Sequence, residues 1–514
     1  MTNELPTSNS EDSDQINRDL GSRFTKSAAW MSIAKIIARF MGSIRILILA
    51  AILPQDQLGL FGIALIVGQF VEKLSQTGIR QALVQHPGKI DNYLGTAWVS
   101  QFSRGLLVAI VIFVCAGSME SFFDKEGLAE LLAVFAVFPI LQGFCNVGIV
   151  HLNRELKFEK IVLIELMTAF VDLASSVLLA WYLPVAMALV FGKLLGGLTM
   201  LSLGFMLERR WPDFSFSLSQ FKELYKFGFW VFLSAVIAFT LIRGGDLVIA
   251  KYLPEADLAK YQVAYALACI PIMEIMNVVS KTTFSAYSRI QDDKKRLVNA
   301  FLRVLSLCSF VAVLSVVGML ALGNDFTKLF LKPNYAIVAD LLPWLAVWGA
   351  CRALGATNTS LFQGAGKPAL ATIFQVLMLV LFAIFLIPAA QNYGIVGIAV
   401  VLAGIGLVAQ LSRYSLIIYI FKIKTSDIVI RIIAPIIAGL MAMVPCYLAM
   451  ACFGPNQHLL RLIVGFVVVV GVFTAASVLI DKKFNFGVVE FIARRSKPIM
   501  NLAQRYGIVR SNAI

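Results

Sequence analysis

The sequence predicts an all-α polytopic membrane protein of about fourteen transmembrane helices, built as two parallel-repeat six-helix bundles plus a C-terminal helix pair. Three observations predict it: a charge content too low for a soluble chain, fourteen apolar stretches of crossing length, and an internal repeat at an offset of 200 residues. Of the 514 residues, 59% are hydrophobic and only 14% are charged; the mean hydropathy is +0.82. Soluble domains carry about 25% charged residues. A chain of this size with so few charges cannot cover itself in water, which excludes an ordinary cytosolic enzyme, a secreted domain and a disordered protein.

Crossing about 30 Å of hydrocarbon takes about 20 apolar residues. The stretches 27–52, 58–80, 94–117, 128–150, 161–182, 185–207, 227–250, 258–282, 297–322, 336–362, 369–390, 394–420, 429–452 and 460–480 meet that length. With the N-terminus inside, the inner segments 1–26, 73–93, 151–160, 208–226, 281–296, 363–368, 421–431 and 481–514 hold 29 Lys and Arg. The outer loops hold four: Lys125, Lys251, Lys328 and Lys332. That asymmetry places both termini in the cytoplasm and favours an even number of spans. It also accounts for the net charge of +14 as topology, so no nucleic-acid partner is expected.

The seven cysteines form no CxxC pair, so neither a disulfide framework nor a metal site is expected. Residues 1–25 are polar and lack the early apolar core of a signal peptide, so the first span serves as its own insertion signal. No loop exceeds about 20 residues, which leaves no soluble catalytic domain. The expected organisation is a cytoplasmic N-terminus (1–26), an N-terminal bundle (27–207), a cytoplasmic linker (208–226), a C-terminal bundle (227–420), a terminal helix pair (421–480) and a cytoplasmic tail (481–514). The tail alternates Phe484, Phe486, Val489, Phe491 and Ile492 with Arg494, Arg495 and Lys497. It reads as an interfacial amphipathic helix on the anionic inner leaflet.

Shifted by 200 residues, Trp30 falls on Trp230, Ile37-Ala38 on Ile237-Ala238, Leu47 on Leu247 and Ala50 on Ala250. Leu53-Pro54 falls on Leu253-Pro254, Leu58 on Leu258 and Ala64 on Ala264. These are nine identities in 35 ungapped positions. Six spans separate the copies, so both have the same orientation: a parallel repeat about an axis along the membrane normal. That is a transporter plan, with substrate expected between the bundles near the midplane and access alternating by rocking.

A charge near the bilayer centre costs roughly 2.5–3.5 kcal/mol on insertion scales, so charges within spans are the candidates for function. Span 1 holds Lys35, Arg39 and Arg45, with Lys35 and Arg39 on one helix face. Lys193 lies in Gly192-Lys193-Leu194-Leu195-Gly196, whose small residues let helices approach closely. Lys35, Arg39 and Lys193 predict a water-filled cationic cavity that attracts an anion, and Arg suits a diphosphate or acidic sugar through bidentate contacts. Arg243 and Asp246 are spaced to pair with each other, and Arg352 adds a cation in span 10. Glu165 and Asp172 share a face of span 5; they either balance the cations or bind a coupling proton or Na⁺. Glu274 lies in span 8. Arg45, Arg104, Arg303 and Asp340 lie near span ends, where pairing or snorkelling accounts for them.

Several motifs fail. Gly364-Ala365-Gly366-Lys367-Pro368 lacks the glycine at 361 and the Ser/Thr at 368 of a phosphate loop, so it reads as a cytoplasmic turn. His86, His151 and His458 sit in loops without HExxH or a Cys/His cluster, so no metal and no cofactor are expected. The outer loop 118–127, with Glu120, Asp124 and Glu126, is too short for a glycosyltransferase site.

The ordered set of spans, repeat and deep cations resembles the multidrug/oligosaccharidyl-lipid/polysaccharide exporter superfamily. Within it the chain is similar to the bacterial polysaccharide (Wzx-type) flippases. The segments that carry the likeness are Leu58-Gly59-Leu60-Phe61 through Gly78-Ile79, Arg154-Glu155-Leu156-Lys157-Phe158, and Phe227-Gly228-Phe229-Trp230 through Asp246 and Tyr261. Phe284 through Asp292 and Gln363 through Pro368 add to it, over about 27–480. The resemblance implies a non-enzymatic flippase in the bacterial inner membrane that moves undecaprenyl-diphosphate-linked oligosaccharide for exopolysaccharide or lipopolysaccharide synthesis. It implies membrane lipids as surroundings, a polysaccharide polymerase complex as a candidate partner, and ion-coupled or substrate-driven alternating access. Lys35, Arg39, Lys193, Arg243 and Arg352 are the candidate substrate-binding residues; Glu165, Asp172 and Asp246 are the candidate coupling acids. A lipid II flippase of the same superfamily fits the cations equally. A multidrug/cation antiporter wants a deep acid where span 1 offers only bases, and a membrane-embedded polymerase or glycosyltransferase wants a larger outer loop.

Overall fold

The computed structural model of the protein describes residues 34, 36–75, 83, 90–155, 157–209, 215–218, 228–484 and 486. Every described element is helical. The chain divides into two compact units: residues 1–52 with 63–236, and residues 53–62 with 237–514. Large apolar side chains face outward in both, among them Phe113, Val114 and Trp181 in the first and Leu411, Leu448 and Val467 in the second. An apolar exterior of this extent is the surface of a protein solvated by lipid, and helices satisfy their own backbone there.

The first unit holds α1 (36–52), the part of α2 (Gln55–Leu74) from residue 63 onward, and α3 (Asp91–Phe123); the start of α2 belongs to the second unit. The fourth predicted span is three short helices: α4 (Leu128–Phe135), α5 (Val137–Phe144) and α6 (Ile149–Arg154). Carbonyls freed at the end of α5 are caught by Gln101 of α3, whose Nε2 donates to the carbonyls of Gln142, Gly143 and Cys145 at 3.0–3.3 Å. Helices α7 (Phe158–Tyr182) and α8 (Ala186–Leu207) form an antiparallel hairpin. Gly192 faces Ser176 and Gly196 faces Asp172 so closely that a Cβ on either glycine would overlap the opposite helix. The small residues around Lys193 therefore do seat two helices at close range.

In the second unit, α9 (Gly228–Tyr252) is followed by α10 (Glu255–Ala268) and α11 (Ile270–Arg289), which bend by 44° at Cys269, where Pro271 opens α11. Then come α12 (Lys294–Phe330), α13 (Val338–Gly364) and α14 (Pro368–Phe421). At about 1.5 Å per residue, 54 continuous residues would run about 80 Å, more than twice the hydrocarbon thickness. The run is in fact broken at Gly394 (φ 60°, ψ −148°), between the predicted spans 369–390 and 394–420. The terminal pair, α15 (Thr425–Ala451) and α16 (His458–Phe484), packs on α12 through Phe310, the Ala434/Ala438/Ala442 stripe and Phe473.

The repeat has a structural counterpart. The two Leu-Pro pairs, Leu53-Pro54 and Leu253-Pro254, end one helix and open the next at the same register. Proline disfavours helix in the residue before it and lacks the N–H that a continuing helix needs. Each proline carbonyl then accepts an early amide of the new helix, Leu58 N–H at 3.1 Å and Asp257 N–H at 3.0 Å.

Among the described residues, eight helices are long and apolar enough to cross a membrane, nine if the bent α10–α11 pair is one span. The predicted fourteen is not reached by that criterion: span 4 is fragmented, α13 carries Asp340 and Arg352, and much of span 1 lies outside the described residues. The predicted N-terminus, most of the linker and most of the tail also lie outside them. At the tail's start, α16 runs on to Phe484, and Phe486 is buried beside Phe310 and Phe473.

Candidate functional site

Two groups of charged side chains lie inside helices, one in each unit. In the first, Asp172 of α7 receives two cations. Arg45 Nη1 of α1 donates to Asp172 Oδ1, and Lys193 Nζ of α8 donates to Asp172 Oδ2 at 3.2 Å. Ser176 Oγ, one turn on, lies 3.4 Å from Oδ1. Lys193 Nζ also sits 5.3 Å from the centroid of the Phe138 ring of α5. Hairpin register explains why α7 and α8 bring these groups together: Asp172 and Lys193 lie about ten residues on either side of the turn at Leu183. The Arg45 side chain is 8% exposed, Asp172 14% and Lys193 29%. Two cations thus share one carboxylate, and the trio carries a net charge of +1. Isolated burial of any of these charges would cost several kcal/mol; the shared carboxylate is what makes the arrangement tolerable.

In the second unit, Arg243 Nη1 donates to Asp246 Oδ2 at 3.4 Å, the i, i+3 pair expected from spacing. Gln262 Nε2 of α10 donates to Asp246 Oδ1 at 3.5 Å. Both bonds are long, and the Asp246 side chain is only 4% exposed. Arg352 of α13 has no carboxylate partner among the described residues. Its Nη1 donates to the Tyr265 hydroxyl at 2.7 Å, and its guanidinium lies 5.6 Å from the Trp348 ring centroid. The phenol and the indole face hold a cation without neutralising it.

Of the remaining predicted residues, Arg39 is exposed on α1 and Glu165 is half-buried on α7, two turns from Asp172. Lys35 and the Glu274 side chain lie outside the described residues. Arg45, set aside in the sequence as a span-end charge, is a member of the buried trio. Arg413 of α14 is a second buried cation that sequence reasoning passes over, although its place inside the stretch 394–420 is itself the signal. Glu120, expected in an outer loop, lies in the last turn of α3, and its Oε2 accepts the Ala129 amide at 2.6 Å at the start of α4. Among the described residues no group of His, Cys, Asp and Glu could hold a metal ion.

The arrangement places cations on apolar helices: Lys193 shares a carboxylate with Arg45, and Arg352 is held by a phenol and an indole face. A family model described as "Polysaccharide biosynthesis protein" matches residues 48–340. The chain is 25% identical over 377 residues to the lipopolysaccharide biosynthesis protein WzxC of Escherichia coli K12, covering 72% of this chain and 76% of that one. It is 24% identical over 324 residues to the succinoglycan biosynthesis transport protein ExoT of Rhizobium meliloti, covering 63% and 65%. Among solved structures, the lipid II flippase MurJ in an inward closed conformation superposes with a TM-score of 0.70 at 16% identity, over 89% of this chain and 99% of that one. At that identity the likeness is one of fold.

Proposed function

Because the chain belongs to the polysaccharide biosynthesis protein family, we propose that it is a flippase for lipid-linked oligosaccharide. It moves undecaprenyl-diphosphate-linked repeat units across the bacterial inner membrane, by alternating access and with both termini cytoplasmic, to supply a surface polysaccharide. The observation that carries this reading is Arg352, a cation inside a membrane helix with a phenol in place of a carboxylate, together with Lys193, which shares its carboxylate with Arg45. Lys193 is the most exposed member of its trio and Arg352 the least neutralised cation of its group, so these two engage the diphosphate or an acidic sugar. Asp172 serves as counter-charge. Asp246, loosely held and almost fully buried, is the candidate for ion coupling.

The experiment is deletion in the native bacterium with mass analysis of its polyprenyl-linked glycans, followed by complementation. Deletion accumulates one diphosphate-linked repeat unit and removes the matching surface polymer. Wild type restores the polymer; Lys193→Ala and Arg352→Gln restore it poorly while reaching the membrane at wild-type levels. Lys193→Ala is a clean probe because Asp172 keeps Arg45 as its partner. Unchanged lipid-linked pools after deletion sink the proposal, and normal polymer in both variants sinks the assigned residues.

A further inference from the structure

We propose that Arg413 is the centre of an intramembrane binding site for a single small monovalent anion of the halide class, within the second unit. Arg413 lies on the second half of α14, eight residues before the helix ends at Phe421, and is 8% exposed. Its neighbours are all uncharged. Nη1 donates to Gln410 Oε1 at 2.9 Å, Nη2 to Met378 Sδ at 3.3 Å, and the guanidinium stands 5.4 Å from the Phe374 ring centroid. No ion pair joins it to a carboxylate among the described residues. Asn358 of α13, fully buried, turns its Nδ2 to Gln410 Oε1 at 3.4 Å. Gln410 Nε2 donates to the Tyr414 hydroxyl at 3.3 Å. A guanidinium brings five N–H groups and an amide two. Here Gln410 Oε1, Met378 Sδ and the Tyr414 hydroxyl oxygen serve as acceptors, and Asn358 Oδ1 is buried without a hydrogen-bond partner.

A buried charge without an opposite charge is expensive, and an apolar residue of similar size is commonly the more stable choice. The site is nonetheless shaped for the cation. Gly355 of α13 lies against Nη1 so closely that a Cβ there would approach it to 2.6 Å. One buried positive charge among uncharged neighbours, with no carboxylate beside it, calls for one negative charge without a large body. A diphosphate would overcompensate a single guanidinium, so the cargo is not the ligand here.

The test uses the purified full-length protein in detergent, followed by intrinsic tryptophan fluorescence on heating. Sodium bromide or chloride replaces sodium gluconate at constant ionic strength. For the wild type, the unfolding temperature rises saturably, by about 3 °C when halide reaches about a hundred times its dissociation constant. Arg413→Gln abolishes the rise, and Arg413→Lys, which keeps the charge, retains part of it. A flat wild-type response overturns the proposal, as does a variant that responds like wild type. Should Arg413→Gln fail to fold, bromide-soaked wild-type crystals decide: an anomalous peak beside the guanidinium supports the site, and its absence overturns it. The readout involves no transport, so its failure leaves the flippase reading standing.

Discussion

Neutralising Asp172 tests the electrostatics of the first unit most directly. Asp172→Asn keeps shape and removes the one carboxylate that faces both Arg45 and Lys193. At 3.2 Å and an effective dielectric of about 20, the Lys193 attraction alone is worth about 5 kcal/mol before desolvation. Breaking a buried pair from one side typically costs about 3–5 kcal/mol, because a charge is stranded. Lys193, at 29% side-chain exposure, can turn partly toward solvent; Arg45, at 8%, cannot. The loss therefore falls mainly on Arg45, and a net cost of about 3 kcal/mol is expected. Removing the Arg45 charge as well, in Arg45→Met/Asp172→Asn, should recover about 2 kcal/mol, since replacing a buried pair by apolar groups is close to neutral. Thermal unfolding in detergent, read from the seven tryptophans, measures each arm of this cycle. If Asp172→Asn lies within about 1 kcal/mol of wild type, or the double variant is no more stable than the single, the shared-carboxylate account is wrong.

Three further outcomes follow from local geometry. Gly394 holds φ 60°, ψ −148° with nothing within 4 Å of a built Cβ, so Gly394→Ala should cost about 1–3 kcal/mol through backbone strain alone, seen as a lower unfolding temperature. Gly59→Ala drives a Cβ into the backbone carbonyl of Glu255, which no rotamer relieves, whereas Gly471→Ala meets nothing; the first should lose more than about 3 kcal/mol or fail to fold, and the second should stay near wild type. Asp325, 4% exposed, receives His458 Nδ1 at 2.7 Å and Arg461 Nε at 3.6 Å from α16. Asp325→Asn should therefore destabilise by about 1–3 kcal/mol, and limited proteolysis should find the 452–458 connection cut faster.

How far the sequence reaches depends on whether a feature is local. The Leu-Pro boundaries are local, because proline acts on its own residue and the one before, and both copies appear where the 200-residue shift places them. The break of span 4 is half legible: Pro139 lacks the N–H that would bond the Phe135 carbonyl, where α4 ends, but the end of α5, whose carbonyls Gln101 takes from another helix, is not. The same distinction runs through the charges. That Arg243 and Asp246 would pair follows from i, i+3 spacing on one helix. That Asp172 would meet Lys193 follows from counting equal distances back from a hairpin turn, a step one remove from local. Arg45 joins them from a helix 127 residues earlier in the chain, and no periodicity carries that information. Arg413 marks the limit in the other direction. Its position inside an apolar stretch is plain, yet only the structure shows a shell of amides, thioether and aromatic ring where a carboxylate would be expected. Hydropathy reports that a charge is in the membrane; whether that charge is cancelled, shared or left over is settled by tertiary partners.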